Sequence, residues 1–309
     1  MRAIKLVILL SFLCARSAAQ NDTTLMKQLE EDSNRTTYTT ATFKSTRLIT
    51  GHTVETLGKG ILDVRILHRF APINGGIYEF FGLDDASMRM GFDYGITNDI
   101  MVGVGRSTFQ KTYDGLFKMK ILKQSTGAVN MPVTMSFVST IAVHTEKTTD
   151  AYDHRINPSF IDMSSFTEQL IVGRKFSNNF SLQFMPIYIF HDKVDSINAN
   201  SRSKDTLFYG SKRKNTMALG FGGRWKVSKR VAINVEYYYQ LPDTKSSVSC
   251  NSLSVGIDLE TGGHIFQMHF TNSTGMTEKV FITDTKEKWK DGYVRFGFNI
   301  SRVFRVAKH

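Results

Sequence analysis

The chain has 309 residues and a formal net charge of +11, with 41% hydrophobic and 22% charged residues and only 5 prolines. That balance excludes a disordered chain, and no apolar run is long enough for a helical membrane span. The 2 cysteines are too few for a disulfide framework or a cysteine-ligated metal or cluster, so neither a metal nor a cofactor is expected.

Residues 1–19 read as a signal peptide. Arg2 and Lys5 form the charged start, Leu6–Cys14 the apolar stretch, and Ser17-Ala18-Ala19 the small-residue cleavage site. Cleavage there leaves Cys250 as the only thiol. Export and the scatter of basic residues argue against nucleic acid as a partner. Residues 20–59 read as an N-terminal periplasmic segment or plug. Asn21–Thr40 is polar, and Phe43–Lys59 precedes the first regular strand. This second piece fits an extra strand, a periplasmic flap or a plug, with flap or plug favoured. It would bring His52 and Glu55 near the periplasmic mouth.

From Gly60 onward the pattern has period two, the signature of strands. Leu62, Val64, Ile66 and Phe70 oppose Asp63, Arg65 and Arg69. Met88, Met90, Phe92 and Tyr94 oppose Arg89 and Asp93, and Phe117, Met119 and Ile121 oppose Lys118 and Lys120. Val133–Val143 follows the rule, while Thr167–Phe176 follows it weakly. Phe180–Phe190 is mixed, because Ile187 and Ile189 leave the apolar face, and Pro186 calls for a bulge or a local distortion. Met217, Leu219, Phe221 and Trp225 then oppose Arg224 and Lys226, and Val231–Tyr239 opposes Asn234 and Glu236. Leu253–Leu259 opposes Asp258 and Glu260, Phe266–Phe270 opposes Gln267 and His269, and Val294–Ile300 opposes Arg295 and Asn299.

With the stretch between the connections Thr97-Asn98 and Thr108–Gly115, twelve segments lie between Gly60 and Phe304, of a length suited to tilted strands crossing a bilayer. A soluble sandwich or barrel also alternates. Three features favour the membrane: a polar face rich in Gly, Ser, Thr and charge, an apolar face rich in Phe, Tyr and Met, and loop asymmetry. Short connections at Thr97-Asn98, Ser177–Asn179, Ser228-Lys229 and Thr261–Gly263 alternate with long ones at Ala71–Asp85, His144–Phe166, Asp192–Asn215, Leu241–Asn251 and Asn272–Asp291. Thr108–Gly115 and Gln124–Asn130 are similar in length and break the contrast. The expected fold is therefore all-β: an antiparallel transmembrane β-barrel of about 12 strands over residues 60–309, with short periplasmic turns, long extracellular loops and both termini periplasmic. The expected location is the outer membrane.

Several stretches carry a family resemblance: Phe43-Lys44-Ser45-Thr46-Arg47, Gly51-His52-Thr53-Val54-Glu55-Thr56, Asp63-Val64-Arg65, His68-Arg69-Phe70, Phe80–Asp84, Asp93-Tyr94-Gly95, Val102–Ser107 and Gly297–Phe304. From Phe43 to the C-terminus the chain resembles an uncharacterised outer-membrane β-barrel family of Bacteroidota, a domain of unknown function. The resemblance implies barrel and compartment. It brings no activity and no functional residues. The terminal Arg305–His309 departs from the barrel habit of ending on an aromatic, a role left to Phe304.

No GxSxG, HExxH, P-loop or CxxCH motif is present. His68, His264 and His269 have no nucleophile placed beside them, so they read as interfacial or lumen histidines and no enzyme is expected. The candidate contacts for a solute or ion are the polar-face charges Asp63, Arg65, Arg69, Arg89, Asp93, Lys118, Lys120, Arg224, Lys226, Glu236, Asp258, Glu260 and Arg295, with His52 and Glu55 as candidate plug residues. The expected function is binding or passing a small solute through this charged lumen. The alternatives are a closed structural or partner-docking barrel, and a barrel enzyme acting on lipid or peptide. Expected partners are outer-membrane lipid and lipopolysaccharide, the barrel-assembly machinery and a small-molecule solute. The basic loop Asp192–Asn215 fits anionic glycan or lipid phosphate.

Overall fold

The computed structural model describes residues 27, 35–146, 148–149, 155–156, 159–196, 207–245, 249–261 and 263–307. The signal segment lies outside the described residues, and so do the basic side chains of the loop 192–215.

Twelve antiparallel strands close into one barrel. They are β1 Ile61–Pro72, β2 Ala86–Gly95, β3 Ile100–Ser107, β4 Tyr113–Leu122, β5 Thr134–Val143, β6 Ser164–Lys175, β7 Phe180–Ser196, β8 Leu207–Lys226, β9 Val231–Gln240, β10 Ser252–Thr261, β11 His264–Thr271 and β12 Arg295–Arg305. Each pairs with its sequence neighbours, and β12 closes the ring on β1. Closure removes the open edges that a sheet in lipid would expose. A second small unit comprises the described residues up to Thr40 together with Lys123–Pro132, and in it Thr37–Tyr38 pairs with Ser125–Thr126.

Period two sets the two faces of the wall. On β5 buried residues alternate with half-buried ones along the whole strand. Outward aromatics such as Phe92, Phe117, Phe221, Trp225 and Phe270 are 40–60% exposed, a surface that needs an apolar surrounding. The two connections that broke the contrast run against the expected asymmetry. Thr108–Thr112, at the loop end, is the shorter, and the β4–β5 connection at the turn end is the longer because it carries the Ser125–Thr126 strand. Pro186 causes no bulge. The β6–β7 ladder keeps one register from Gln169↔Ile187 to Val172↔Phe184 and simply lacks the two pairs between, while Pro186↔Leu219 stands on the other side. A missing N–H costs ladder bonds without shifting the strand.

The interior differs from an expected polar lumen. Leu116, Val138, Ile171, Met185, Ile187, Ile189 and Tyr238 point inward and form a buried apolar cluster with Phe43, Leu48, Val54, Leu57, Phe281 and Ile282. The latter six come from two segments outside the strands. One is Ala41–Lys59, ahead of β1. The other is the β11–β12 connection, which carries a short helix α1, Glu278–Thr283, with all six residues buried. A connection read from sequence as a long external loop is folded into the barrel.

Candidate functional site

The segment ahead of β1 makes a tight hairpin. Arg47 bridges His52, Leu48 N donates to Gly51 O at 2.9 Å, and Thr53 N donates to Thr46 O at 3.0 Å. Only two residues, Ile49 and Thr50, turn the chain. Among the described residues no neighbouring strand is paired with this hairpin, so its backbone groups need other partners. Side chains of the wall supply them. Glu236 accepts from Ile49 N, Thr50 N and Gly51 N at 2.7, 3.0 and 3.1 Å. Gln267 donates to Leu48 O at 2.5 Å, Asn299 to Ile49 O at 2.8 Å, and Gln183 to His52 O at 2.7 Å. Ser136 donates to Val54 O at 2.8 Å and Lys118 to Thr46 O at 3.2 Å. Arg65 reaches Ser45 Oγ and Thr46 Oγ1 at 2.7 and 3.0 Å, and Arg69 reaches Thr50 Oγ1 at 2.8 Å. These partners come from β1, β4, β5, β7, β9, β11 and β12. A segment bonded to strands all around the ring lies inside it.

Apolar seats complete the fit. A Cβ on Gly173 would meet the Val54 side chain at 2.8 Å, and one on Gly222 would meet Leu48 Cδ2 at 2.9 Å. Wall glycines thus make room for hairpin side chains. Gly51, at the tip, lies so close to Tyr238 that a Cβ would sit 1.7 Å from its hydroxyl.

The inward loop meets the hairpin tip. Glu278 Oε1 lies 3.1 Å from Arg47 Nη1 and 3.2 Å from His52 Nε2. Arg69 bonds both sides of this junction, since its Nη1 also donates to Gly275 O at 2.7 Å. Phe281 packs on Tyr238 with ring centroids 4.9 Å apart. Burial by itself would raise the Glu278 carboxyl, but Arg47 and the bond from His52 hold it well below the usual carboxylate range. Burial first, then Arg47, lowers His52 from 6.5 to about 3.

A pH dependence follows. An undocked, hydrated His52 takes a proton near 6.5, whereas the docked ring refuses one until about 3. Docking is therefore fully favoured above 6.5 and weakens as pH falls through that window. Below the ordinary glutamate value of 4.5, Glu278 acts in the same direction. At pH 5 the His52 contribution is about 2 kcal/mol. Protease cleavage of the hairpin is expected to rise between pH 7 and 5, and His52→Gln to flatten that rise. An equal rise in the variant would remove His52 from the account.

The other wall charges have varied partners. Asp63 takes Arg65 and Ser301, each at 2.6 Å. Arg89 pairs with Asp114, and Arg224 with Glu260 at 2.8 Å. Glu260 also holds Lys44 at 2.9 Å. Asp258 accepts from Gln267 at 2.8 Å, and Arg295 holds Glu287 of the inward loop at 2.7 Å. Asp93 is buried on the inner face beside Gly103, and Lys226 is half-buried at the turn end. Lys120 meets Glu55 at 3.4 Å. His52, expected near the mouth, instead reaches the inward loop, because the hairpin turns over deep in the barrel. His68 stacks on Phe298 at 4.8 Å, and His269 Nε2 lies 3.3 Å from Arg69. The sequence reading did not single out Arg47, Gln183, Gln267, Glu278 or Asn299.

A family described as "Membrane bound beta barrel domain (DUF5777)" matches residues 43–304. The match begins at Phe43 and so takes in the hairpin. Among curated proteins none matches the chain. Among solved structures the chain is similar to the NanC porin, at 8% identity and a TM-score of 0.47, over 78% of this chain and 98% of that one. It is similar to the KdgM porin at 7% identity and a TM-score of 0.45, over 81% and 99%. It is similar to an outer membrane channel from Pseudomonas putida F1 at 14% identity and a TM-score of 0.46, over 81% and 98%.

Proposed function

The chain belongs to the family of membrane bound beta barrel domains, and from that premise we propose that it is an outer-membrane channel for a small polar solute, closed by its own hairpin. The turn end faces the periplasm and the loop end the exterior. The supporting observation is how the hairpin is held. Its turn is clasped by one carboxylate, Glu236, and its carbonyls by amides, a hydroxyl and an ammonium of the wall. A small barrel that closes permanently fills itself with side chains of its own wall. Here wall glycines leave seats for a segment outside the sheet.

Withdrawal of the hairpin would leave the wall pairs Asp63–Arg65, Arg89–Asp114 and Arg224–Glu260 intact. Arg69, Lys118, Lys120 and Glu236 would each lose a partner and face the solute. No covalent chemistry is assigned to these groups. The second reading is a closed docking barrel, favoured by the complete burial of Arg65, Arg69, Arg89 and Lys118.

The test is ion selectivity in a bilayer of a chain lacking residues 43–57. Expected are discrete conductance steps whose reversal potential moves toward cations in Lys118→Gln/Lys120→Gln. Silence of the inserted, truncated barrel would favour the docking reading.

A further inference from the structure

We propose that the loop-end rim over β9 and β10 binds the phosphorylated headgroup of an outer-leaflet glycolipid. A recess of about 970 Å³ lies there, formed by the β9–β10 connection and the outer limb of the β11–β12 connection. Among the described residues four lysines line it, Lys245, Lys286, Lys288 and Lys290, and no carboxylate does. Its floor is aromatic: Tyr237, Tyr239 and Trp289.

The recess is held in shape by bonds between its walls. Trp289 Nε1 donates to Leu253 O at 3.0 Å, fixing the indole over the start of β10. Asn251 Nδ2 donates to the Tyr237 hydroxyl at 2.9 Å, and Cys250 N donates to Thr285 O at 2.6 Å, tying the two connections together. The nearest acid on the limb, Glu287, is engaged by Arg295. Asp243 and Asp291 stand outside the lining.

Position selects the occupant. Tyr239 is 38% exposed on the outer face, one residue before β9 ends. With the loop end at the exterior, the orientation proposed above, aromatic rings at that end of an outward strand face belong to the boundary between acyl chains and headgroups. Lysines just above them face headgroup phosphates. An occupant needs an apolar part against the rings and an anionic part against the ammoniums, as a phosphorylated, acylated sugar has. Its rings Tyr237 and Tyr239 lie on the outward face of β9, so the proposal does not depend on solute passage. Its failure would leave the conductance result untouched.

The test measures binding of bis-phosphorylated lipid A to the refolded mature chain, against Lys286→Gln/Lys288→Gln/Lys290→Gln. Expected is at least about a tenfold loss of affinity in the variant. Dephosphorylated lipid A should bind the wild type no better than the variant binds the phosphorylated form. Conductance and heat-modified gel mobility should be unchanged. Should the triple variant not refold, Lys288→Glu carries the same comparison. Equal binding by the variant overturns the proposal, and so does equal binding of dephosphorylated lipid A. Displacement by inorganic phosphate at matching concentration would assign the site to free phosphate and also overturn it.

Discussion

Glu236→Ala is expected to turn the closed barrel into a leaking one. Its carboxylate accepts three consecutive backbone N–H groups at the hairpin turn, and the side chain is 1% exposed. Alanine leaves these donors without their acceptor, at roughly 1–3 kcal/mol each. What opposes release is the burial of Phe43, Leu48, Val54 and Leu57, each contributing about 1.5–3 kcal/mol. A loss of about 3 kcal/mol moves the docked-to-released ratio by about a hundredfold. Glu236→Gln keeps one acceptor oxygen and is expected to leak less. Bilayer recordings distinguish the two. If Glu236→Ala exposes the hairpin to protease and the barrel stays silent, the inward loop closes it alone.

The second large effect is a lock. An ideal Cβ on Gly173 lies 3.5 Å from Val54 Cβ, within the usual disulfide span of about 3.5–4.5 Å. Val54→Cys/Gly173→Cys in a Cys250→Ser chain is expected to crosslink the hairpin to β6 under mild oxidant. The oxidised chain should hold the hairpin against protease even with Glu236→Ala. Reductant should undo this. Failure to crosslink would mean that Val54 does not sit against Gly173 in the membrane.

Much of the wall was legible in the sequence. The outward row Met88–Tyr94 and the row Met217–Trp225 each present one apolar face, and the twelve strands follow from that alternation. The contents of the barrel were less legible. Ser45, Thr46 and Thr50 look like solvent-facing residues until their wall partners Arg65, Lys118, Arg69 and Glu236 are known, and Gln267 and Asn299, which hold the carbonyls of Leu48 and Ile49, lie still further off in sequence. Three signals were present. Ile187 and Ile189 broke the alternation because they face the apolar part of the interior. Gly173 and Gly222 fit an inner face suited to small residues, and small size there serves Val54 and Leu48. The run Val280-Phe281-Ile282 inside a long loop was a third sign, since an external loop has no use for three consecutive buried apolar residues.

The most direct test records single channels of the Val54→Cys/Gly173→Cys/Glu236→Ala/Cys250→Ser chain in one bilayer, before and after reductant. The account predicts silence while the disulfide holds and discrete conductance steps once it is reduced. Equal conductance in both states, with crosslinking verified, would show that the hairpin is not what closes the barrel.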